Sequence, residues 1–168
     1  MREYLKELNV GRKSPNFKAL SSEGPIDFHH WSKSKWSILL LAPCQFINED
    51  NPYFMAETKL GLKKLDLQVI ALTQSFENSE YWGGSQTKTR IPISFPVIYD
   101  VNNMIQQKFD HGFDTNSDEE LNRIYILDTN STVRQIITFK KNIKIDINDL
   151  IMVVNSLKTT SCHHLMKT

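Results

Sequence analysis

The sequence predicts an α/β protein in which helices cover both faces of a central mixed sheet, a three-layer α/β/α sandwich. Two apolar runs, 38–42 and 67–72, each have the length of a buried strand and are too short to cross a membrane. Helical segments follow both runs. A predicted β-hairpin over 123–139 and an amphipathic helix over 146–157 then complete the chain, so strands and helices alternate before the hairpin.

The first part of the chain is polar and punctuated by turns. Residues 1–14 are predicted to form a flexible or loosely docked arm. A short strand over 16–20, a turn at 23–25 and a partner strand over 26–28 then form a hairpin.

The rest of the predicted fold is arranged around the stretch from Trp36 to Glu57. Its apolar run ends at Pro43, a polar loop follows, and Asn51-Pro52 begins a helix that runs to about Leu65. The amino end of a helix carries partial positive charge and free N–H groups, which suit an anion or a thiolate. The sequence therefore predicts a functional site in this loop.

The second half supplies the remaining layers. Helices are predicted over 77–86 and 101–109, with a strand over 97–99 between them. Asp128 to Ser131 form the turn of the hairpin, and the last helix has apolar residues at helical spacing. Because a hairpin and a terminal helix follow the βαβ unit, the arrangement is thioredoxin-like.

Length and composition exclude several classes of protein. A chain of 168 residues predicts one domain, which we place at 1–160, with a polar tail over 161–168. A net charge of +1 gives no electrostatic case for nucleic acid, and no segment resembles a membrane span or a secretory signal. Two cysteines are too few for a disulfide framework, so a reducing, cytoplasmic setting is expected.

Several blocks along the chain resemble one known family in order. Trp36 lies seven residues before Pro43, and later blocks include 69–72, 95–100 and 123–128. Together with the segment 24–31 and Trp82, these blocks resemble the peroxiredoxins. They are most similar to the one-cysteine branch of the alkyl hydroperoxide reductase/thiol-specific antioxidant group, over roughly 10–160. The resemblance implies a peroxiredoxin-type thioredoxin fold, antioxidant oxidoreductase chemistry and a homodimer.

The catalytic pattern of that family is not kept in full. It consists of a Pro, three residues, a Thr or Ser, two residues and the peroxidatic Cys. Counted from Pro43, the hydroxyl position is Ile47 and the thiol position is Asp50, while the family's Arg matches Arg123. A carboxylate cannot attack the O–O bond of a peroxide as a thiolate does. The matched site is therefore expected to lack peroxidase activity, with Asp50 capping the helix or pairing with Arg123.

Both cysteines have a structural and a chemical interpretation. Cys44 is expected to be a small buried residue, and the alternative is a relocated nucleophile near Arg123. Cys162 is expected to be a spectator in the tail, although some peroxiredoxins carry a resolving Cys in that region.

No cofactor or metal is expected. The pairs His29-His30 and His163-His164 are adjacent in sequence, so neither is a good chelate, and Gly83-Gly84 lacks the following residues of a phosphate loop. The aromatic residues Phe46 and Tyr53-Phe54 flank the loop, where the family's aromatic residues help to form a dimer interface.

Three functions remain open from the sequence. The first is a peroxiredoxin-like pseudoenzyme that acts as a binding or regulatory module. The second is a thiol-dependent peroxidase that uses Cys44. The third is a small-anion binding protein anchored by Arg123, with a peroxide or a small anion as the possible ligand.

Overall fold

A computed structural model describes residues 8–41, 62–73, 95–110, 121–140, 143 and 145–165. Its strands form one seven-stranded sheet in the order β2-β1-β5-β4-β3-β6-β7. The strands are β1 (Lys18–Ser21), β2 (Gly24–Asp27), β3 (Trp36–Leu40), β4 (Leu67–Thr73), β5 (Val97–Tyr99), β6 (Leu121–Leu127) and β7 (Val133–Lys140). The helices are α1 (Phe28–Trp31), α2 (Met104–Phe109) and α3 (Ile147–Leu165), and residues 62–64 form a further helical segment.

The sheet is mixed, as the sequence predicts. Strands β3, β4 and β5 are parallel, whereas β6 pairs antiparallel with β3 and with β7. The two apolar runs become β3 and β4 at the centre of the sheet, where every residue of β3 is buried. A strand that is buried on both faces carries apolar residues at successive positions, which explains why these runs do not alternate with polar residues.

One face of the sheet is covered by the terminal helix and by the segment 62–64, and we call it the terminal-helix face. Ile38, Ile124 and Ile126 pack there with Leu62 and with Leu150 of α3. All five side chains are buried, and they form a continuous apolar layer between the sheet and these helices.

The opposite face is covered by α1 and α2, and we call it the aromatic face. Phe17 and Phe28 are stacked with ring centroids 4.7 Å apart, and Phe109 of α2 meets Phe28 edge to face at 6.1 Å. Tyr125 of β6 contacts Phe109 at 5.4 Å. With helices packed on both faces, the three-layer α/β/α arrangement of thioredoxin-like type is confirmed.

Helix α2 is fixed by a buried carboxylate rather than by a residue next to it. Asp100, which is 5% exposed, accepts hydrogen bonds from the backbone N–H groups of Ile105 and Gln106, at 3.0 Å and 2.7 Å for Oδ2. These donors have no partner within the first turn of a helix, so the carboxylate satisfies them. The helix begins at Met104, later than the predicted start at Val101, because residues 101–103 form the turn that brings Asp100 to its N-terminus.

The prediction of a flexible arm is wrong for residues 8–14. Leu8 is buried on the aromatic face, and Ser14 is buried as well. Backbone hydrogen bonds join Gly11 to Val133 at 2.8 Å and Ser14 to Ser131 at 2.8 Å, so this segment continues the sheet beside the start of β7.

The last helix is longer than predicted, since its predicted end is residue 157. Helix α3 continues to Leu165, so residues 158–165, the last five of them in the predicted polar tail, are helical. No helix in the described part of the chain combines the length and the apolar character needed to cross a membrane.

Candidate functional site

The predicted site follows the carboxyl end of β3, where β3 and β6 lie side by side. Leu40 pairs with Ile124 of β6, and the N–H of Leu41 donates to the carbonyl of Arg123 at 3.3 Å. In α/β sheets, ligands bind outside the carboxyl ends of the parallel strands. The predicted site residues of the loop, namely Pro43, Cys44, Ile47 and Asp50, lie outside the described residues.

The helical segment 62–64 packs on the terminal-helix face. Leu62 is 5% exposed and lies in the same cluster as Ile124. Lys158 of α3 donates from Nζ to the carbonyl oxygen of Leu65 at 2.6 Å. A cation at this position satisfies a carbonyl at the end of the helix and binds the terminal helix to it.

Arg123 projects to the aromatic face, away from Leu62. Its Nη1 lies 3.7 Å from Oδ1 of Asp110, and both side chains are 13% exposed. The hydroxyl of Tyr125 lies 2.5 Å from the same carboxylate oxygen and 3.0 Å from the carbonyl of Phe109. Arg123, Asp110 and Tyr125 therefore form a buried polar network that joins β6 to the end of α2.

The protonation properties of this network follow from its burial. Burial raises the pKa of the Asp110 carboxyl, although the Tyr125 hydrogen bond and the Arg123 charge both act to lower it. Burial and the neighbouring Asp110 carboxylate raise the pKa of the Tyr125 phenol, which stays protonated and donates its hydrogen. The network therefore suits a structural role that holds Arg123 in place, with no nucleophile among its members.

Asn122 is a residue at this site that the sequence analysis missed. It immediately precedes Arg123, so its side chain points to the opposite face of the strand, together with Ile124 and Ile126. Asn122 is 9% exposed and lies opposite Phe139 of β7. Alternation along β6 places Asn122 and Arg123 on opposite faces of the sheet, but only the packing of the helices decides which of them shares a face with the segment 62–64.

Of the histidines whose side chains the structure describes, His29 is bonded within the fold. Nε2 of His29 lies 2.9 Å from the carbonyl of Ser14, and because a carbonyl only accepts, that nitrogen carries a hydrogen. Cys162 is part of α3, but its side chain lies outside the described residues, as do those of His163 and His164. Over the described ranges, no three His, Cys, Asp or Glu side chains are grouped as metal ligands would be.

Comparisons with known proteins agree on one family. No family model matches the sequence. Peroxiredoxin 2 of Picrophilus torridus is 27% identical over 153 residues, which cover 89% of this chain and 75% of that protein.

Solved structures of similar fold lead to the same group. A yeast mitochondrial 1-Cys peroxiredoxin matches with a TM-score of 0.71 at 20% identity, covering 92% of this chain and 78% of that one. Mycobacterium tuberculosis AhpC matches with a TM-score of 0.70 at 14% identity, covering 92% and 96%. The fold is thus shared with these structures, and the chain is similar in sequence to peroxiredoxins along most of its length.

Proposed function

We propose that this chain is a peroxiredoxin-like pseudoenzyme of the cytoplasm, which lacks the family's peroxidase activity and acts as a binding or regulatory module. The observation that carries the proposal is the position of Arg123. Its guanidinium contacts Asp110 on the aromatic face, whereas Leu62 of the helical segment 62–64 packs on the terminal-helix face.

The chemistry of peroxide reduction explains why this position matters. A peroxidatic thiol must be a thiolate, and a nearby cation lowers its pKa and stabilises the charge. Arg123 already has a buried carboxylate as its partner. On the sequence, Ile47 and Asp50 also stand where the resemblance requires a hydroxyl and a thiol. The proposal therefore has two supports. The matched position carries no thiol, and Arg123 is paired with a carboxylate of the fold.

The same contact gives no support to the anion-binding alternative. Of the described residues at this end of β6, Asn122 is the polar one on the terminal-helix face, and its side chain carries no charge for an anion. Excluding water from an anion without a compensating cation is costly.

Thiol reactivity tests the proposal directly. The wild type, Cys44→Ser and Cys162→Ser are treated with dilute hydrogen peroxide in the presence of a sulfenic acid trap, and intact masses are followed over time. We expect neither thiol to react faster than free cysteine, and peroxide consumption to stay at the background rate. Rapid and selective modification that disappears in Cys44→Ser would instead establish a thiol peroxidase with a relocated nucleophile.

We also infer a homodimer, and the open edge of the sheet supports it. Residues 11–14 cover only the beginning of β7, and within the described chain no strand pairs with the outer edge of 134–139. A free strand edge pairs readily with a second copy around a two-fold axis. The aromatic residues Phe46 and Tyr53-Phe54, which the sequence analysis linked to a dimer interface, lie outside the described residues.

Sedimentation equilibrium tests the dimer. We expect a mass of twice 19.5 kDa for the wild type, and a mass near that of one chain after Gln135→Lys with Thr138→Lys, because like charges would then oppose each other across the paired edges. Asn155→Lys with Met152→Lys, on the exposed side of α3, is the matched control and should stay dimeric. A wild type that remains monomeric at every concentration would contradict the inference.

A further inference from the structure

The amino ends of the parallel strands β3 and β4 bring together lysines that are distant in sequence. The first residue of β3 pairs with the first residue of β4, so the residues that precede the two strands lie side by side at one end of the sheet. Lys33 and Lys35 precede β3, whereas Lys63 and Lys64 precede β4, and all four are exposed. This end is opposite to the carboxyl end of β3, which the predicted site follows.

Other elements add positive charge to the same end. Because β6 is antiparallel to both β3 and β7, the start of β7 with Arg134 lies here. Arg12 and Lys13 lie beside it, since their segment pairs with residues 132 and 133. Lys158 of α3 reaches the carbonyl of Leu65, just before β4, at 2.6 Å. Four separate parts of the chain therefore contribute cations.

The described part of this end carries a large excess of positive charge. Eight cations lie there with three carboxylates, a net charge of +5, and because the whole chain carries +1, the remaining residues carry −4. Glu23 is counted here because its neighbour Ser22 bonds to Val97, the first residue of β5. We call this surface the basic end, and it consists of Arg12, Lys13, Glu23, Lys33, Lys35, Lys63, Lys64, Asp66, Asp128, Arg134 and Lys158.

Few of these charges stabilise the fold. Lys158 bonds to a backbone carbonyl, and Arg134 pairs with Asp128 at 3.6 Å. Lys35 lies 3.9 Å from Oδ1 of Asp66, whose side chain is 69% exposed, so solvent screens this pair. Like charges that are gathered on one surface repel each other and lower stability. A surface of this kind is complementary to a partner of opposite charge.

We propose that the basic end is an interaction surface for a protein partner, and that it binds a short acidic segment rich in Asp and Glu. Carboxylates complement the ammonium groups of lysines, and complementary charge speeds association and selects the partner. A short segment fits within the basic end, whereas a nucleic acid extends past it to the rest of the chain with its charge of −4. The proposal goes beyond the loss of peroxidase activity, because this surface lies at the opposite end of β3 from the predicted site.

Fluorescence anisotropy with a labelled peptide of eight glutamates tests the proposal. A peptide of eight glutamines is the neutral probe. We expect the wild-type protein to bind the acidic peptide saturably at low ionic strength and more weakly at physiological ionic strength, because salt screens exposed charges. The neutral peptide should not bind. Equal binding of the two peptides, or no binding of the acidic one, would overturn the proposal.

Charge reversal at exposed lysines locates the surface. Lys33→Glu combined with Lys64→Glu should weaken binding of the acidic peptide by at least about tenfold, because two attractions become repulsions. Lys18→Glu combined with Lys108→Glu is the matched control, since it changes the net charge equally at exposed positions on β1 and α2. It should weaken binding by less than about threefold. An equal loss in both double variants would show that the peptide responds to net charge alone and would refute the surface.

Competition distinguishes the class of partner. Oligothymidylate and vesicles of phosphatidylcholine with phosphatidylserine are added separately to the complex with the labelled peptide. We expect each to need a higher concentration of charge than the unlabelled acidic peptide to displace the label. Displacement at a lower concentration would assign the basic end to nucleic acid or to membranes and would contradict the proposal. If the peptide binds and the protein also consumes peroxide, the proposed pseudoenzyme fails while the interaction surface stands.

Discussion

Phe28→Ala is expected to lower the free energy of unfolding by about 3–5 kcal/mol, which is the usual cost of removing a fully buried aromatic ring. Phe28 is 0% exposed. It stacks on Phe17 and meets Phe109 edge to face, so its loss leaves a cavity between α1, α2 and the sheet. Aromatic pairs of this geometry add stabilisation beyond the area that they bury. Urea unfolding at 25 °C, followed by far-ultraviolet circular dichroism, gives the difference.

Two further variants separate the cavity from a general effect of substitution. Phe28→Leu keeps most of the apolar volume and should cost less than about 2 kcal/mol. Leu20→Ala, at a side chain that is 72% exposed, should change stability by less than about 0.5 kcal/mol. A loss for Phe28→Ala as small as that for Leu20→Ala would mean that α1 does not pack against the aromatic face as described.

Phe28 also shows why one part of the fold could not be predicted from the sequence. Alternation along 26–28 predicts a strand, but the ladder between β1 and β2 ends at Asp27. The N–H of Phe28 then donates to the carbonyl of Phe17 at 2.9 Å, and that of His29 donates to Oδ1 of Asn16 at 2.8 Å. These bonds turn the chain into α1. They depend on residues at least ten positions earlier, which a local pattern does not include.

The central strands and the terminal helix were predictable because their patterns are local. Long apolar runs indicate strands that are buried on both faces, and the spacing of Ile147, Leu150 and Val154 indicates one apolar face of a helix. The site was less predictable for the same physical reason. In β6, residues 124–127 are all large side chains that suit a core, so the pattern does not show which face each residue occupies. Arg123 and Asn122 become distinguishable only when the two helical layers are in place.

Arg123→Met is expected to lower the free energy of unfolding by about 3–5 kcal/mol at pH 7, because it leaves a buried carboxylate without its cation. Asp110 is 13% exposed on its side chain and lies 3.7 Å from the guanidinium. The methionine keeps most of the apolar stem of the arginine, so the loss reports the charge rather than the packing. Chemical unfolding of the wild type and the variant across a series of pH values measures it.

The stability that Arg123→Met loses should depend strongly on pH, and the protonation of Asp110 decides in which direction. Burial already raises the pKa of this carboxyl above its ordinary value of 3.8, and removing the Arg123 charge raises it further. A carboxyl with a raised pKa in the folded state contributes its stability at low pH, and that contribution is lost as the pH rises through the folded pKa. The variant should therefore approach the wild type in acid, where Asp110 takes up a proton, and fall below it towards neutral pH.

A second arginine of the sheet tests whether the burial of the ion pair causes this loss of stability. Arg134 also pairs with an aspartate, Asp128, at 3.6 Å, but its side chain is 40% exposed. Solvent screens such a pair, so Arg134→Met should cost less than about 1 kcal/mol, with little dependence on pH. If Arg123→Met behaved in the same way as Arg134→Met, the network with Asp110 and Tyr125 would not hold Arg123 to the aromatic face. The arginine would then be available to the predicted site, and the case for a pseudoenzyme would lose its structural support.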